Sequence, residues 1–348
     1  MKAFGVSSKI NIGELEHKLE ELQLEIPNPG KNEICIEVYA SAIIINDIQM
    51  IEGTMLGGVP IGPKPSKTKP AVPGTDVSGV VKEIGKGVKK FKVGEKVYGT
   101  CNPMKRFGPW AEYCIVDEKN IDIKPDYLDY NEAASVPLVA SVAVNAIDAL
   151  GKVNNKTCLI IGASGGIGSV CIQMLASLGA DVWAVCSGKN AEMVKSLGAS
   201  KVLDYTQNSF SSQIHDLNKK VDFVIDCVGG KEIEVQAISV LKPRGKFVTV
   251  VGPVRFVGET KLGFFALLKM FSYISWRVFS TMITGRKKYV FTGASSPNFK
   301  RINELFIVHN KKVTIDRILP FEKQQLIDGI KYILSHRAKG KVVIQVKK

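Results

Sequence analysis

Histidine is scarce in this 348-residue chain, with four residues at 17, 215, 309 and 336 in unrelated, surface-like segments where a solvated ring is the plain reading. The seven cysteines (35, 101, 114, 158, 171, 186 and 227) show no Cys-x-x-Cys spacing. Several fall in apolar strand or helix patterns, which suits buried thiols in a reducing compartment. The opening MKAFGVSSKI holds no signal-peptide apolar core, so the cytosol is the expected location. The most apolar stretch, 262–283, carries Lys269 and Arg277, and two full charges argue against a membrane span. No activated nucleophile and no acid–base dyad stands out anywhere in the sequence.

What is present is globular. With 45% apolar and 23% charged residues the chain can bury a core, and its length suits two domains. The net charge of +14 comes from lysines scattered over most segments, with one local run at Lys86, Lys89, Lys90, Lys92 and Lys96. Such a run reads as a solvated turn, so nucleic acid is not the expected partner. A basic surface would also steer a phosphate-bearing cofactor towards the protein.

The chain is organised around Thr157–Gly168. The β-rich run TCLII stops at the glycine turn Gly162-Ala163-Ser164-Gly165-Gly166-Ile167-Gly168. Helical spacing follows, with Val170, Ile172, Leu175 and Leu178 before Gly179. A strand, a glycine turn and a helix in that order aim the first helical N–H groups at a bound anion. The glycines divide the work between a tight turn, close approach to a pyrophosphate and close helix–strand packing. The spacing predicts a dinucleotide site.

Residues 1–125 read as β-rich, with strands at Ile34–Tyr39, Val77–Ile84 and Glu95–Gly99, and a proline-rich surface loop from Gly57 to Pro73. Residues 131–150 turn helical. Beyond 157, strands at Asp181–Cys186, Lys201–Leu203, Phe223–Val228 and Lys246–Val251 alternate with helices, the pattern of a doubly wound parallel sheet. Ligand is expected beyond their carboxyl ends, at Ser187, Tyr205 and Val228-Gly229. In 262–283 the residues Phe264, Leu267, Leu268, Phe271, Ile274, Val278 and Met282 share one helical face, opposite Lys269, Tyr273, Arg277 and Ser280. That apolar stripe is expected to be covered by the protein or by a second subunit, with contact at a membrane surface as the alternative.

Over essentially the whole chain these residues resemble the medium-chain dehydrogenase/reductase family. Pro73–Val81 with Val93–Gly99 looks like its GroES-like, β-rich N-terminal domain, and Lys156–Gln173 is similar to its quinone oxidoreductase signature. Val185–Ser187, Tyr289–Ala294 and Arg337–Lys341 look like the reticulon-interacting mitochondrial oxidoreductase branch, although no mitochondrial presequence is seen. An NAD site in this fold usually places an acid at the end of the second strand, and Cys186-Ser187-Gly188-Lys189 has none. Ser187, Lys189 and, by resemblance, Tyr205 would suit the 2′-phosphate of NADP. The resemblance also implies that Phe291 and Lys339 close over the cofactor. Where zinc-dependent relatives carry metal ligands, the matching positions are Ile44, Thr75 and Leu138, so no metal is expected. The Asn and Thr that many zinc-free relatives keep near the nicotinamide align with Ile44 and Val142; Asn46 reaches the Asn position only after a two-residue shift. Asp47 and Tyr113 are the polar candidates nearby.

The expected architecture is α/β. A GroES-like domain spans 1–127 and is completed by 313–348, and a doubly wound Rossmann domain binding NADP spans 128–312. Gly162, Ser164, Gly165, Gly166, Ile167, Gly168, Ser187, Lys189, Tyr205, Val228, Phe291 and Lys339 are expected at the cofactor. Asn46, Asp47 and Val142 are expected to face a small apolar acceptor. The activity implied is zinc-independent, NADPH-dependent hydride transfer to quinones or α,β-unsaturated carbonyls, with a homodimer as one option for the assembly. A catalytically weak NADPH-binding sensor or scaffold at a membrane surface competes with it. RNA binding is a third reading, to be distinguished by salt-sensitive retention that NADPH displaces.

Overall fold

The computed structural model describes residues 1–8, 12–45, 47, 52, 64–102, 105–254, 264–284, 288–293 and 295–348. They form two compact units, Met1–Leu138 with Lys312–Lys348, and Val139–Lys311. The boundary falls at Leu138 rather than at the expected 127, and packing supplies the reason. Pro137 lacks an N–H and breaks the expected helix into Tyr130–Ser135 and Pro137–Leu150. The short first piece is closed by a capping box between Asp129 and Glu132, and Ala134 packs with Ala40, Ala42 and Val343 of the first unit. Tyr130 stacks on Tyr39 with ring centroids 4.2 Å apart.

The first unit is a mostly antiparallel sheet that strands from both ends of the chain complete. Its path runs Ile315–Pro320, Lys341–Gln345, Glu33–Ile43, Asp76–Ile84, Lys96–Thr100 and Ile121–Ile123, while Tyr113–Asp117 pairs with the first half of Glu33–Ile43. The expected β character near 342–346 is therefore a strand in the N-terminal sheet, with Val342 opposite Ile43. Ile34, Ile36, Val38, Val77, Val81 and Val97 fill one core, their alternation matching the pleat. Of the expected loop between Gly57 and Pro73, residues 57–63 lie outside the described residues.

The second unit is the doubly wound sheet. Numbering its strands alone, β1 is Thr157–Ile161, β2 Asp181–Cys186, β3 Lys201–Asp204, β4 Val221–Asp226, β5 Leu241–Thr249 and β6 Lys288–Phe291. All pairings are parallel, in the order 3-2-1-4-5-6. The order reverses between β1 and β4, which opens a crevice at their carboxyl ends. Buried Leu159, Val185, Val224, Phe247 and Tyr289 hold the sheet to its helices.

The helix Phe264–Thr284 is present but turned from the expected rotation: Ile274 and Val278 of the expected stripe reach the core, while others do not. Phe264, Leu267 and Met282 lie outside the described side chains. Met270, Ile274 and Thr281 are buried, and Tyr273 and Arg277, expected to point to solvent, are turned inward. The cause is Glu234, a buried carboxylate on the helix Lys231–Val240. It accepts hydrogen bonds from Arg277 Nε at 2.7 Å and Tyr273 Oη at 3.0 Å. An unpaired buried carboxylate is far more costly than an exposed phenylalanine, so the ion pair sets the rotation. Within the chain itself much of the apolar surface is uncovered: Leu268 and Phe271 of the expected stripe are exposed, beside Phe265, Trp276 and Phe279.

Candidate cofactor site and active-centre residues

β1 ends at Gly162, whose φ of +77° is a left-handed value that favours glycine. Gly165 N donates to Gly162 O at 3.1 Å and closes the turn, and Gly165 then caps the helix Gly166–Ser177. A Cβ at Gly168 would lie 2.3 Å from Gly162 O and 2.8 Å from Ala163 Cα, so this glycine lets the helix sit against the strand. A Cβ at Gly165 would meet nothing nearer than Gly162 O at 3.4 Å. The two glycines thus do different jobs, one facing packed backbone and the other an open side. Ser164, Gly165, Gly166 and Ile167 are all half-buried on that turn, where the helix's first N–H groups lack intrahelical acceptors.

The second strand ends at the same edge. Ser187 is buried and its hydroxyl accepts from Asn190 Nδ2 at 3.3 Å, while Lys189 is exposed and makes no ion pair among the described residues. Tyr205 N donates to Cys186 O at 3.3 Å, which brings exposed Tyr205 beside the Ser187 corner. One residue here escapes a reading along the sequence. Asp204 is the register partner of Cys186, and its Oδ2 lies 2.5 Å from where a Gly188 Cβ would stand. Hydrogen bonds from the Thr206 backbone, the Thr206 hydroxyl and the Gly188 backbone hold its carboxyl below the ordinary range. The neighbouring strand therefore supplies the acid that the Cys186–Lys189 window lacks.

A second device that sequence reasoning missed fixes the far wall. Asp226, at the end of β4, accepts from Val228 N at 2.9 Å, Gly229 N at 3.0 Å and the Thr249 hydroxyl at 2.9 Å. Thr249 Oγ1 in turn accepts from Gly252 N at 2.9 Å. Burial raises the Asp226 pKa against these donors. The network pins the Val228 turn and the loop after β5, and an Asp directly before a strand-ending Cys-Val-Gly-Gly is the signal that could have found it. Phe291 ends β6 opposite Thr249, with its ring 3.3 Å from a Cβ built on Gly252. Lys339 belongs to the first unit, where its N–H donates to Asp316 at 2.8 Å.

The first unit gathers Ile44, Asp47, Thr75, Asp76, Leu138 and Lys341 through one set of buried hydrogen bonds. Asp47 accepts from Ile44 N at 3.0 Å and from the Thr75 hydroxyl at 2.8 Å. Wholly inaccessible, its carboxyl is pushed up to about 7 by burial. Asp76 accepts from Leu138 N at 3.0 Å, a first-turn donor of the helix Pro137–Leu150, and from Lys341 Nζ at 3.0 Å. Burial raises its pKa too, with Lys341 opposing. Asn46 lies outside the described residues. Val142 is buried on the helix Pro137–Leu150, and Tyr113 is half-buried at the start of its strand.

Comparison with known proteins decides the family. Residues 30–126 match the alcohol dehydrogenase GroES-like domain and residues 166–287 the zinc-binding dehydrogenase domain. The mouse (Mus musculus) mitochondrial NAD(P)H oxidoreductase RTN4IP1 is 34% identical over 330 residues, 90% of this chain and 82% of the relative. The chain belongs to the medium-chain dehydrogenase/reductase family. Another member, the 2-methylene-furan-3-one reductase of Solanum lycopersicum, is 31% identical over 331 residues, 93% of this chain and 74% of that one. The quinone oxidoreductase of Coxiella burnetii shares the fold, with a TM-score of 0.79 at 23% identity over 100% of this chain and 99% of that one. As a member of this family the protein is an oxidoreductase that works with a nicotinamide cofactor, and the glycine turn with its open side fits one.

The sulfur chemistry is quiet. Burial pushes the Cys35 and Cys186 thiols up to about 11 and Cys158 to about 12, while a hydrogen bond that Cys227 donates to Cys171 is the main cause that raises Cys227. Protonated thiols are poor nucleophiles, so cysteine catalysis has no support. Among the described residues no helix is long and apolar enough to cross a membrane, and no group of three His, Cys, Asp or Glu side chains could hold a metal ion.

Proposed function

We propose that the protein is a zinc-free, NADPH-dependent reductase of quinones and α,β-unsaturated carbonyls. The observation that carries the reading is the open side of Gly165 at the helix N-terminus, next to the Ser187, Lys189 and Tyr205 corner. The helix N–H groups would hold the pyrophosphate, and Ser187, Lys189 and Tyr205 the 2′-phosphate. Asp204 opposes this by its charge, but its oxygens are engaged by Thr206 and Gly188, whereas Lys189 is exposed to an incoming phosphate. Bound NADPH supplies the hydride. The Asp226–Thr249 network would keep the Val228 turn and the loop after β5 rigid beside it. The name of the Solanum relative, a furanone reductase, supports a conjugated carbonyl as acceptor.

The case for a zinc-free centre rests on donor chemistry. Ile44 and Leu138 offer only aliphatic side chains, and the Thr75 hydroxyl is committed to Asp47. Without a Lewis acid to polarise an alcohol oxygen, the acceptor has to be electrophilic already, as a quinone or enone is. Asp47 is enclosed and uses both oxygens on its neighbours, so it acts as a positioning residue for Ile44, and water supplies the proton to the reduced acceptor. Val142 would line the acceptor side.

Calorimetric titration with NADPH and NADH tests the cofactor. A phosphate–lysine contact of roughly 1.5–3 kcal/mol corresponds to about 10- to 150-fold preference for NADPH. Lys189→Ala should remove most of that preference, and Asp204→Asn should leave NADPH binding at least as tight. Equal dissociation constants for the two cofactors, with NADH binding lost in Asp204→Asn, would overturn the assignment. A panel of quinones and enones then tests turnover, and tight NADPH binding without oxidation of any acceptor would favour the sensor reading.

A further inference from the structure

The helix Phe264–Thr284 leaves one face to solvent, and that face carries five large apolar side chains interspersed with Lys269, Ser272 and Ser275. Phe265 is 83% exposed, Leu268 54%, Phe271 47%, Trp276 60% and Phe279 62%, with Lys269 among them. The opposite face is anchored by Met270, Ile274 and the Arg277–Glu234 pair, so the helix cannot bury this surface by turning about its axis without breaking a buried ion pair. A contiguous patch of large apolar side chains on a fixed helix marks a surface meant to be covered.

Charge says by what. From Thr260 to Asn303 the sequence has eight basic residues and no Asp or Glu, in a chain with 33 acidic residues in 348. Arg277 and Arg301 are engaged by Glu234, Asp148 and Glu304, but Lys269 is exposed on the face and makes no ion pair among the described residues. A second copy docked through the same face would set Lys269 against like charge, which opposes association. An anionic lipid surface offers the complementary charge along with an apolar layer of the right depth. Phenylalanine, leucine and tryptophan facing outward with lysine beside them is the composition of a helix lying in a membrane interface. Lys269 stands on the exposed face itself and exposed Lys288 follows the helix, so charge for headgroups lies beside the apolar side chains.

We infer that the exposed face of Phe264–Thr284 docks the protein on the surface of an anionic lipid bilayer, inserting Phe265, Leu268, Trp276 and Phe279 among the headgroups without spanning. None of these side chains is among the proposed cofactor residues, and the inference stands whether or not the acceptor assignment does.

Trp276 gives the experiment its reporter, because the other two tryptophans, Trp110 and Trp183, are buried. The full chain is mixed with vesicles of phosphatidylcholine alone and of phosphatidylcholine with phosphatidylglycerol, and floated on a density gradient. The expected result is flotation with the anionic vesicles only, weakened by salt, together with a blue shift of Trp276 emission and quenching by brominated acyl chains. The double variant Phe265→Glu/Phe279→Glu should lose at least about tenfold in vesicle affinity while keeping its melting temperature and cofactor affinity, since both side chains are solvent-facing. Quenching in the parent protein remains decisive should that variant fold poorly. Failure to float at low salt would overturn the inference. So would flotation that leaves Trp276 unquenched and the double variant unaffected, which is attraction by charge without insertion. A dimer that the double variant splits, with no vesicle binding, would assign the face to a second copy instead.

Discussion

Two alanine substitutions three residues apart separate the binding role of the glycine turn from its packing role. At Gly165 the backbone φ is −80°, open to any L-residue, and the added methyl would meet only Gly162 O at ordinary contact distance. Gly165→Ala gains a few tenths of a kcal/mol from a less flexible unfolded chain and loses a similar amount as a poorer helix cap. Its folding stability should stay within about 0.5 kcal/mol of the parent. The methyl does, however, occupy the approach proposed for the pyrophosphate, so the NADPH dissociation constant should rise by at least about tenfold, 1.4 kcal/mol. At Gly168 the methyl would lie 2.3 Å from one backbone atom and 2.8 Å from another, and neither can swing aside as a side chain tip can. The helix has to lift from the strand, at roughly 1–3 kcal/mol or more, a loss of about 2–12 °C in melting temperature. Thermal unfolding without cofactor and fluorescence titration with NADPH measure the two effects separately. Gly165→Ala that binds NADPH as the parent does would refute the placement of the cofactor, whatever the Gly168 result.

Two further outcomes follow from the buried ion pairs. Lys341→Met should destabilise the first unit by roughly 3–5 kcal/mol near neutral pH, because Asp76 would keep its burial and lose its cation. The folded-state pKa of Asp76, already raised, would climb further, so the deficit should grow as pH rises above the ordinary carboxylate range; a pH-independent loss below about 1 kcal/mol in urea unfolding would contradict this. Arg277→Met should cost roughly 3 kcal/mol and Arg277→Met with Glu234→Gln much less, and equal losses in the two would mean that Glu234 does not set the helix's rotation.

The parts of the protein legible in the sequence are those that one stretch of chain specifies by itself. The run TCLII and the glycines after it carry their own strand, turn and helix start, and the strand Asp181–Cys186 matches its expected bounds. The expected 131–150 helix was less legible because a single residue, Pro137, outweighs the apolar pattern around it. What was hidden depends on partners distant in sequence. Asp204 reaches Gly188 only because parallel pairing sets it opposite Cys186. Lys341 meets Asp76 across 265 positions, and Thr249 meets Asp226 from the next strand of the sheet.

The helix Phe264–Thr284 shows why such partners can reverse a correct local pattern. Periodicity ranks faces by their own apolar content, and by that measure Arg277 and Tyr273 belong outside. Burial is decided jointly with the surface that receives the helix, and that surface carries Glu234 at 5% exposure. Leaving a few large apolar side chains in water costs on the order of 1.5–3 kcal/mol each, and much of that is recoverable by any partner that covers them. Leaving a buried carboxylate without its cation costs roughly 3–5 kcal/mol and nothing outside the fold can recover it. The fold therefore satisfies the charge first and exports the apolar debt to the surface. The face that looks like a failure of the helical pattern follows, on that accounting, from satisfying Glu234.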